Sequence, residues 1–229
     1  MKRNQIYLVA GIDTGIGKTI VTGLLARALL ARGLRATTVK MVQTGNDGFS
    51  EDVELHRRLM GIGPTPEDQE GLSAPQIFRF PSSPKLAAEL ENRCVDLDAI
   101  ARAVDEVAAR YDATFVEAAG GLHVPLTEEM LTIDFVAQRK WPVLLVTCGR
   151  LGSLNHTLAS LEALHAREIP VAGVLYNYYP NVEPAIDRDT PEMTRAYLAR
   201  LGYRPLVCRI PEVTDLSHPP LLDIPELFN

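Results

Sequence analysis

The chain has 229 residues, of which 46% are hydrophobic and 23% charged, and its net charge at pH 7 is −6. A chain of this length can bury a substantial core without disulfides or a structural metal, and its acidic balance argues against a general binder of nucleic acid or of anionic membranes. The three cysteines stand far apart, without the spacing of a zinc site or a disulfide framework. The N-terminal apolar run is too short for a signal or membrane segment, so we expect a cytoplasmic protein.

Along the chain, apolar runs typical of strands alternate with segments typical of helices. Strands are predicted at 6–11, 35–43, 113–121, 141–149, 170–177 and 204–212, and helices at 17–33, 51–60, 96–111, 153–168 and 190–202. The Gly-, Pro- and Ser-containing segment 61–84 is expected to be a long surface excursion, and the proline-rich tail 218–229 to be irregular. This alternation predicts one α/β domain, residues 1–229, with a mostly parallel sheet flanked by helices on both faces.

The stretch GIDTGIGKT, residues 11–19, follows the first predicted strand and opens the first helix. Its first glycine lies one residue too early for the common phosphate-binding loop, G-x-x-x-x-G-K-[ST]. A helix N-terminus nevertheless offers unpaired N–H groups to phosphate oxygens, and Gly15 and Gly17 permit backbone conformations that side chains obstruct. Lys18 is predicted to reach the β- and γ-phosphates of ATP, and the Thr19 hydroxyl to ligate Mg²⁺. The alternative is a plain helix start with convenient glycines; we favour a P-loop NTPase-like fold.

A large subgroup of P-loop proteins, the dimeric ATPases of the partitioning type, carries a second lysine in the form K-G-G-x-G-K-[ST]. Asp13 stands at the position of that lysine in this chain. A carboxylate at this position repels phosphate, so we expect Asp13 to turn away from the nucleotide.

Four stretches, in this order, resemble the dethiobiotin synthetase family. GIDTGIGKT is similar to G-x-D-T-x-x-G-K-T, and VKMVQTG (39–45) to K-P-V-x-[ST]-G. VEAAGGLHVPL (116–126) is similar to E-G-A-G-G-x-x-x-P-L, and GRLGSLNHT (149–157) to [KR]-L-G-x-[IL]-N-H. The segment FPSSPKLAAE and the short pieces YN and IPE also match the family, so that the resemblance runs from residue 11 to about residue 211.

The resemblance implies a ligase that depends on ATP and Mg²⁺. In that family CO₂ carboxylates 7,8-diaminopelargonate to a carbamate, ATP phosphorylates the carbamate, and the second amine closes the ureido ring of dethiobiotin. The resemblance also implies small-molecule substrates, no nucleic-acid or membrane partner, and a homodimer with shared active sites, because the segment 149–157 reaches the site of the partner subunit in the family.

By motif position, the resemblance implies four sets of site residues. The catalytic residues are Lys40 and Lys18. The nucleotide is held by Gly15, Ile16, Gly17, Lys18, Thr19, Ile20, Asp52, Glu117, Gly120, Asn177, Tyr178, Pro211, Glu212 and Val213. The substrate is held by Thr14, Lys40, Thr44, Gly152, Ser153 and Asn155, and Mg²⁺ by Thr19, Asp52 and Glu117.

The residue types support these roles to different degrees. Glu117 ends an apolar strand, where open α/β sheets place ligands. Asp52 lies in a first helical turn, where acids are favoured by the helix dipole in any case. Lys40 suits a carbamate, although a strand-end lysine is also common in solvent. The Asn177 amide can donate to and accept from adenine, or simply form a turn, and Asn155 reaches substrate, caps its helix or faces solvent.

Three positions depart from the family pattern. Met41 replaces a proline after Lys40 and is expected to loosen the backbone there. Ala118 replaces a glycine and would be strained if its φ were positive, and Lys85 stands where SPH is usual. Three alternatives therefore stay open: a partitioning- or assembly-type ATPase switch, a related ligase acting on a different substrate, and a non-catalytic ATP-binding relative.

Overall fold

The computed structural model describes residues 4–180 and 182–228. Its strands are β1 (Gln5–Gly11), β2 (Ala36–Lys40), β3 (Gln43–Thr44), β4 (Ile77–Phe78), β5 (Ala113–Gly121), β6 (Val143–Cys148), β7 (Val171–Asn177) and β8 (Val207–Ile210). Its α-helices are α1 (Lys18–Leu30), α2 (Glu51–Met60), α3 (Pro66–Gln69), α4 (Pro84–Leu90), α5 (Leu97–Arg110), α6 (Thr132–Arg139), α7 (Ser153–Ala166) and α8 (Pro184–Arg200). The predicted domain, 1–229, includes residues 1–3, 181 and 229, which lie outside the described residues. Residue 229 is also the last residue of the predicted tail, 218–229.

Six strands form one sheet in the order β2-β5-β1-β6-β7-β8, and every neighbouring pair is parallel. The predicted parallel α/β architecture is therefore confirmed. The predicted central strand, β6, is buried along its whole length. Since parallel strands end at the same edge of a sheet, the carboxyl-terminal ends of the neighbouring strands β1, β2 and β5 lie close together. Within this register Lys40 lies directly opposite Glu117.

The sheet separates two hydrophobic cores, as expected when helices cover both faces. Alternate residues of β1 point to opposite sides: Leu8 and Ala10 belong to one core, and Tyr7 and Val9 to the other. The first core takes its helical side chains from α4 to α8. The second takes them from α1, α2 and the C-terminal segment. The phosphate loop leads from the end of β1 into α1, on the face of the sheet that carries α1 and α2.

Several predicted elements hold with shifted boundaries. Helix α2 spans the predicted residues, and its predicted cap is present because the Ser50 hydroxyl accepts a hydrogen bond from the N–H of Val53. Helix α8 begins six residues before the predicted 190–202, at Pro184, a residue suited to a first helical turn. No helix in the ranges 4–180 and 182–228 is both long and apolar enough to cross a membrane.

One expectation was wrong, whereas the expected irregular tail was found. The segment 61–84 is not only a surface excursion: it contains α3 and β4, and the side chain of Phe78 is fully buried. It is tied to the sheet because the carbonyls of Ser73 and Gln76 accept hydrogen bonds from the N–H groups of Lys40 and Gln43. The C-terminal tail is irregular apart from a 3-10 turn at Pro225–Phe228, but it is packed: the Phe228 ring lies 5.8 Å from Tyr7.

Candidate functional site

The phosphate loop has the backbone that its glycines predicted. Gly15 and Gly17 adopt left-handed φ values of 72° and 84°, and Gly17 forms the N-cap of α1. A Cβ at Gly17 would lie 2.2 Å from the amide nitrogen of Asn177, so only glycine fits there. The Lys18 ammonium folds back onto the loop, where it donates to the carbonyl of Asp13 at 2.8 Å. Burial lowers the pKa of Lys18 to about 8.

The Asp13 carboxylate has one partner inside the loop and one beyond it, and its turning away from a bound nucleotide stays a prediction. It accepts a hydrogen bond from the N–H of Thr14 at 2.7 Å and forms an ion pair with Arg150, which follows β6. The hydrogen bond from Arg150 lowers the pKa of Asp13 below its usual value. The position that carries a phosphate-binding lysine in partitioning ATPases therefore carries an internal ion pair here.

At the sheet edge, four elements bring two carboxylates, an ammonium and a hydroxyl together. The Lys40 ammonium, at the end of β2, lies 2.6 Å from a carboxylate oxygen of Asp52 on α2 and 2.8 Å from Oε1 of Glu117 on β5. The Thr19 hydroxyl, at the start of α1, lies 3.0 Å from both acids. The structure thus places Lys40 in a buried cluster rather than in solvent.

The charges of this cluster stabilise one another. Burial alone would raise the pKa of Glu117, but the Lys40 charge and a hydrogen bond from His56 outweigh it and lower that pKa to about 2. For Lys40, burial works against the charged form, yet Glu117 and Asp52 together raise its pKa. Glu117 is therefore an anion and Lys40 a cation at neutral pH.

The cluster fits a magnesium ion by the chemistry of its donors. Mg²⁺ takes hard oxygen ligands, and it is bound through one or two carboxylates while phosphate and water fill the rest of its shell. Thr19, Asp52 and Glu117 offer such oxygens, and the cationic ammonium of Lys40 already lies between the two acids. Within 4–180 and 182–228 no group of three or more His, Cys, Asp or Glu side chains is arranged to hold a metal by itself.

A cleft of about 710 Å³ opens beside this cluster. It is lined by Thr14, Gly15, Gly17, Lys18, Thr19, Ile20, Lys40, Val42, Gln43, Thr44, Asp52, Leu55, Pro81, Ser82, Ser83, Pro84, Glu117, Ala119, Gly120 and Val124. Most residues predicted for phosphate, metal and acceptor thus share one cavity, including both hydroxyls, Thr14 and Thr44. Gly120 has a left-handed φ of 77°. A Cβ at Gly120 would lie only 2.9 Å from Cγ2 of Val124, so glycine fits this turn at the edge of the cleft.

The residues predicted for adenine lie beside the phosphate loop but outside this cleft. The buried Asn177 amide donates to the carbonyl of Ile16 at 2.9 Å, which fixes the loop to the end of β7. Tyr178 and Pro211 line a second cavity of about 560 Å³. Glu212 is exposed, and Val213 packs against the core that contains α1.

The residues predicted for the distal part of the substrate are not in the cleft of their own chain. Gly152 lines a third cavity, of about 440 Å³, together with Arg150, Leu151 and Leu154. Ser153 is fully buried, and its N–H already donates to the carbonyl of Arg150 at 2.9 Å. Asn155 is exposed on the first turn of α7.

Of the three departures from the family pattern, the expectation for Met41 was wrong, and the condition set for strain at Ala118 is not met. Met41 does not loosen the chain, because its N–H donates to the Glu117 carbonyl at 3.0 Å, a bond that proline cannot make. Ala118 lies inside β5 and is not among the described residues with positive φ, so it carries no such strain. Lys85 pairs with Glu89 at 2.6 Å and is not part of the cleft lining.

One further side chain contacts the cluster although no motif points to it. The His56 ring is fully buried, with Nε2 2.7 Å from Oε2 of Glu117. The signal in the sequence is its position four residues after Asp52, which places both side chains on one face of α2.

Comparison with known proteins places the whole chain among related sequences. The model of a family described as AAA domain matches residues 5–220. The ATP-dependent dethiobiotin synthetase BioD 2 of Pasteurella multocida is 42% identical over 212 residues, which cover 93% of this chain and 98% of that protein. The ATP-dependent dethiobiotin synthetase BioD of Chlorobaculum tepidum is 46% identical over 201 residues, or 88% of this chain and 84% of that protein.

Solved structures with low sequence identity share the fold. The signal recognition particle receptor FtsY of Elizabethkingia anophelis, in complex with GDP, aligns with a TM-score of 0.53 at 16% identity. That alignment covers 99% of this chain, and the chain spans 63% of the receptor's length. A ParA family ATPase of Chlorobium tepidum aligns with a TM-score of 0.52 at 15% identity over 93% of this chain and 86% of that protein. The predicted P-loop NTPase-like fold is confirmed.

Proposed function

The chain belongs to the ATP-dependent dethiobiotin synthetase family, and from its cleft we propose how it performs the reaction of that family. It is an ATP-dependent ligase of biotin biosynthesis that closes the ureido ring of dethiobiotin from 7,8-diaminopelargonate and CO₂. The observation that carries the assignment of residues is the meeting of Lys18, Lys40 and Glu117 in one cleft, with a phosphate loop on one side and acceptor hydroxyls on the other.

The reaction has three bond-forming steps. One amine adds to the carbon of CO₂ and loses a proton, which gives a carbamate. A carbamate oxygen attacks the γ-phosphorus of ATP as the bond to the ADP oxygen breaks. The second amine then attacks the carbonyl carbon of the mixed anhydride, the bond to phosphate breaks, and that amine loses its proton.

The cleft brings positive charge to the point where the anions meet. A carbamate and a triphosphate repel each other, so phosphoryl transfer between them depends on cations held in position. Lys18 lies in the phosphate loop and would bind the phosphate oxygens, and Lys40 would bind the carbamate. Thr14 and Thr44 offer hydroxyl groups to the diamine and carbamate.

Magnesium would be held by the hydroxyl of Thr19 and the carboxylates of Asp52 and Glu117. When bound, Mg²⁺ neutralises the oxygens of the β- and γ-phosphates. Glu117 is suited to this role because its carboxylate stays ionised down to about pH 2. The loop residues Gly15, Ile16, Gly17 and Ile20 would surround the phosphates, with Gly120 at the edge of the cleft.

We further propose that the nucleotide base is bound beside Asn177 and near Tyr178, Pro211, Glu212 and Val213. The position of Asn177 next to the phosphate loop supports this assignment. The base would lie beyond the end of β7, outside the cleft that holds the phosphates.

The enzyme is also proposed to be a homodimer. Gly152, Ser153 and Asn155 lie outside the cleft of their own chain, so a role in binding the substrate would require the cleft of a second copy. Sedimentation at micromolar concentration should give a dimer; a monomer that retains full activity would refute the shared site.

An exposed free thiol, Cys94, suits the reducing cytoplasm that we propose as the compartment.

The function is tested by incubation with ATP, Mg²⁺ and bicarbonate, with and without diaminopelargonate. ADP release should depend on the diamine, and dethiobiotin should form in equal amount. Rapid release of ADP without the diamine would instead favour the alternative of an ATPase switch, against which the ion pair of Asp13 with Arg150 argues.

The proposed role of Lys40 is tested by Lys40→Gln, with Lys85→Gln as a matched control outside the cleft. Lys40→Gln should reduce ring closure by two to three orders of magnitude, the usual loss when one charge-stabilising donor is removed, while ADP still binds. Lys85→Gln should retain activity. In Lys40→Gln the buried Glu117 loses its ion-pair partner, which can destabilise the protein. Folding of this variant is therefore checked by circular dichroism. Near-normal turnover in folded Lys40→Gln would remove Lys40 from the mechanism.

A further inference from the structure

His56 is a buried histidine with a single polar contact to the residues 4–180 and 182–228. Its side chain has no exposed surface, and its Nε2 lies 2.7 Å from Oε2 of Glu117. The other ring nitrogen, Nδ1, has no hydrogen-bond partner among the described residues. Leaving a buried polar atom unpaired costs about 1–3 kcal/mol, so an imidazole is less favourable for stability here than an apolar side chain of similar size. Its contact with Glu117 is what distinguishes it from an apolar side chain.

The two oxygens of Glu117 have different partners. Oε2 receives the hydrogen bond from His56, whereas Oε1 accepts from the Thr19 hydroxyl at 3.0 Å and from the Lys40 ammonium at 2.8 Å. An ionised carboxylate only accepts hydrogen bonds, so Nε2 of His56 carries the proton of this contact. The bond occupies Oε2 and leaves Oε1 beside Thr19 and Lys40, both of which line the cleft.

The position of His56 is set by the same helix that carries Asp52. The two residues are one turn apart on α2, on the same face of the helix. Asp52 contacts Lys40 and Thr19, and His56 contacts Oε2 of Glu117. Helix α2 is capped at Ser50 and packs closely against α1, where Gly23 lies beneath Leu59. The imidazole therefore reaches Glu117 from a fixed base.

We propose that His56 is a positioning residue that holds Glu117 so that Oε1 alone is presented as a ligand for the divalent cation. Residues that hydrogen-bond to metal ligands orient them, and their loss lowers metal affinity or activity by about 10- to 100-fold. Without His56, Glu117 is free to rotate about its side-chain bonds, and both oxygens compete for Lys40 and Thr19. The inference rests on the proposed role of Glu117 as a magnesium ligand.

Three variants isolate the hydrogen bond. His56→Met removes the donor but keeps an apolar side chain of similar size, whereas His56→Gln places an amide N–H near the position of Nε2. His56→Asn is equally polar, but its amide corresponds to Nδ1 and is too short to reach Glu117. A loss caused only by placing a polar amide in this buried space affects Gln and Asn alike, whereas a loss of the hydrogen bond spares Gln.

The measurement is the affinity for Mn²⁺ in the presence of ADP, followed by the electron paramagnetic resonance signal of the free ion. His56→Met and His56→Asn should bind Mn²⁺ about 10-fold or more weakly than the unmodified protein, and His56→Gln within about threefold of it. ADP affinity without any divalent cation should be the same in all four proteins. Normal Mn²⁺ affinity in folded His56→Met, or equal losses in Gln and Asn, would overturn the proposal.

Glu117→Gln separates failure of this inference from failure of the proposed site. If Glu117→Gln loses Mn²⁺ affinity while His56→Met keeps it, Glu117 is a ligand and His56 does not position it. If Glu117→Gln itself binds Mn²⁺ normally, the proposed magnesium site is wrong, and the inference falls with it. If His56→Met does not fold, the comparison between Gln and Asn still decides the outcome.

Discussion

The close contact between α1 and α2 predicts that a methyl group far from the nucleotide will alter metal dependence. Gly23, in the second turn of α1, lies against α2. A Cβ at this position would lie 2.7 Å from Cβ of Leu59 and 3.3 Å from Cα of His56. Carbon atoms favour separations of 3.5–4.0 Å, so Gly23→Ala must move α2 away from α1 by about 0.8–1.3 Å.

The displacement should affect the proposed magnesium site because α1 and α2 each carry part of it. The Thr19 hydroxyl on α1 lies 3.0 Å from Asp52 on α2, and a shift of about 1 Å takes that contact beyond hydrogen-bond distance. For stability, overpacking costs about 1–3 kcal/mol, while alanine in a helix gains about 1 kcal/mol over glycine. The net loss of unfolding free energy is therefore small, about 0–2 kcal/mol.

The assay is a Mg²⁺ titration of diamine-dependent ADP release at saturating ATP. Gly23→Ala should need severalfold more Mg²⁺ for half-maximal rate, because Asp52 has moved away from Thr19. Gly63→Ala is the matched control, since a Cβ there meets no atom within 4 Å, and it should behave like the unmodified protein. An unchanged Mg²⁺ requirement in folded Gly23→Ala would refute the idea that this helix contact sets the site.

Three further predictions concern stability and reactivity. Ser50→Ala should lower the unfolding free energy in urea by about 0.5–2 kcal/mol, because the cap on the N–H of Val53 is lost; an unchanged midpoint would show that this cap contributes nothing. Phe78→Ala should lower it by about 3–5 kcal/mol, since the ring is fully buried, and a loss below 1 kcal/mol would mean that the segment around β4 is not part of the cooperative fold. Iodoacetamide at pH 8 should label exposed Cys94 far faster than Cys208, because burial raises the pKa of Cys208 to about 11 and leaves little thiolate; equal rates in peptide mass spectra would contradict this.

Local patterns in the sequence predicted the sheet and the phosphate loop well. The apolar run before Gly11, the glycines at 15 and 17 and the cap at Ser50 each act within a few residues, so their effect can be inferred from the sequence. Glu117 also pointed to the correct edge of the sheet, although β5 continues beyond it to Gly121.

Other features depend on contacts between distant residues. The meeting of Lys40 with Glu117 requires β5 to lie between β2 and β1, an order that no local pattern specifies. Helices α4 and α6 were not predicted: α4 does begin with Ser83 and Pro84 but is only seven residues long, and α6 follows Leu131, which is not a capping residue. The burial of Phe78 depends on a two-residue strand pair, which is too short for a periodic pattern.

The ion pairs of Lys40 have a consequence for the order in which ligands bind. Two carboxylates and two ammonium groups, Asp52, Glu117, Lys18 and Lys40, give this end of the cleft no net charge before any ligand arrives. Lys40 is an internal counter-ion, present at the high effective concentration of a tethered group. Free Mg²⁺ must compete with it for the same oxygens and should bind weakly by itself. The ion is expected to enter with the nucleotide, whose phosphates supply the negative charge that releases Lys40 to meet the carbamate.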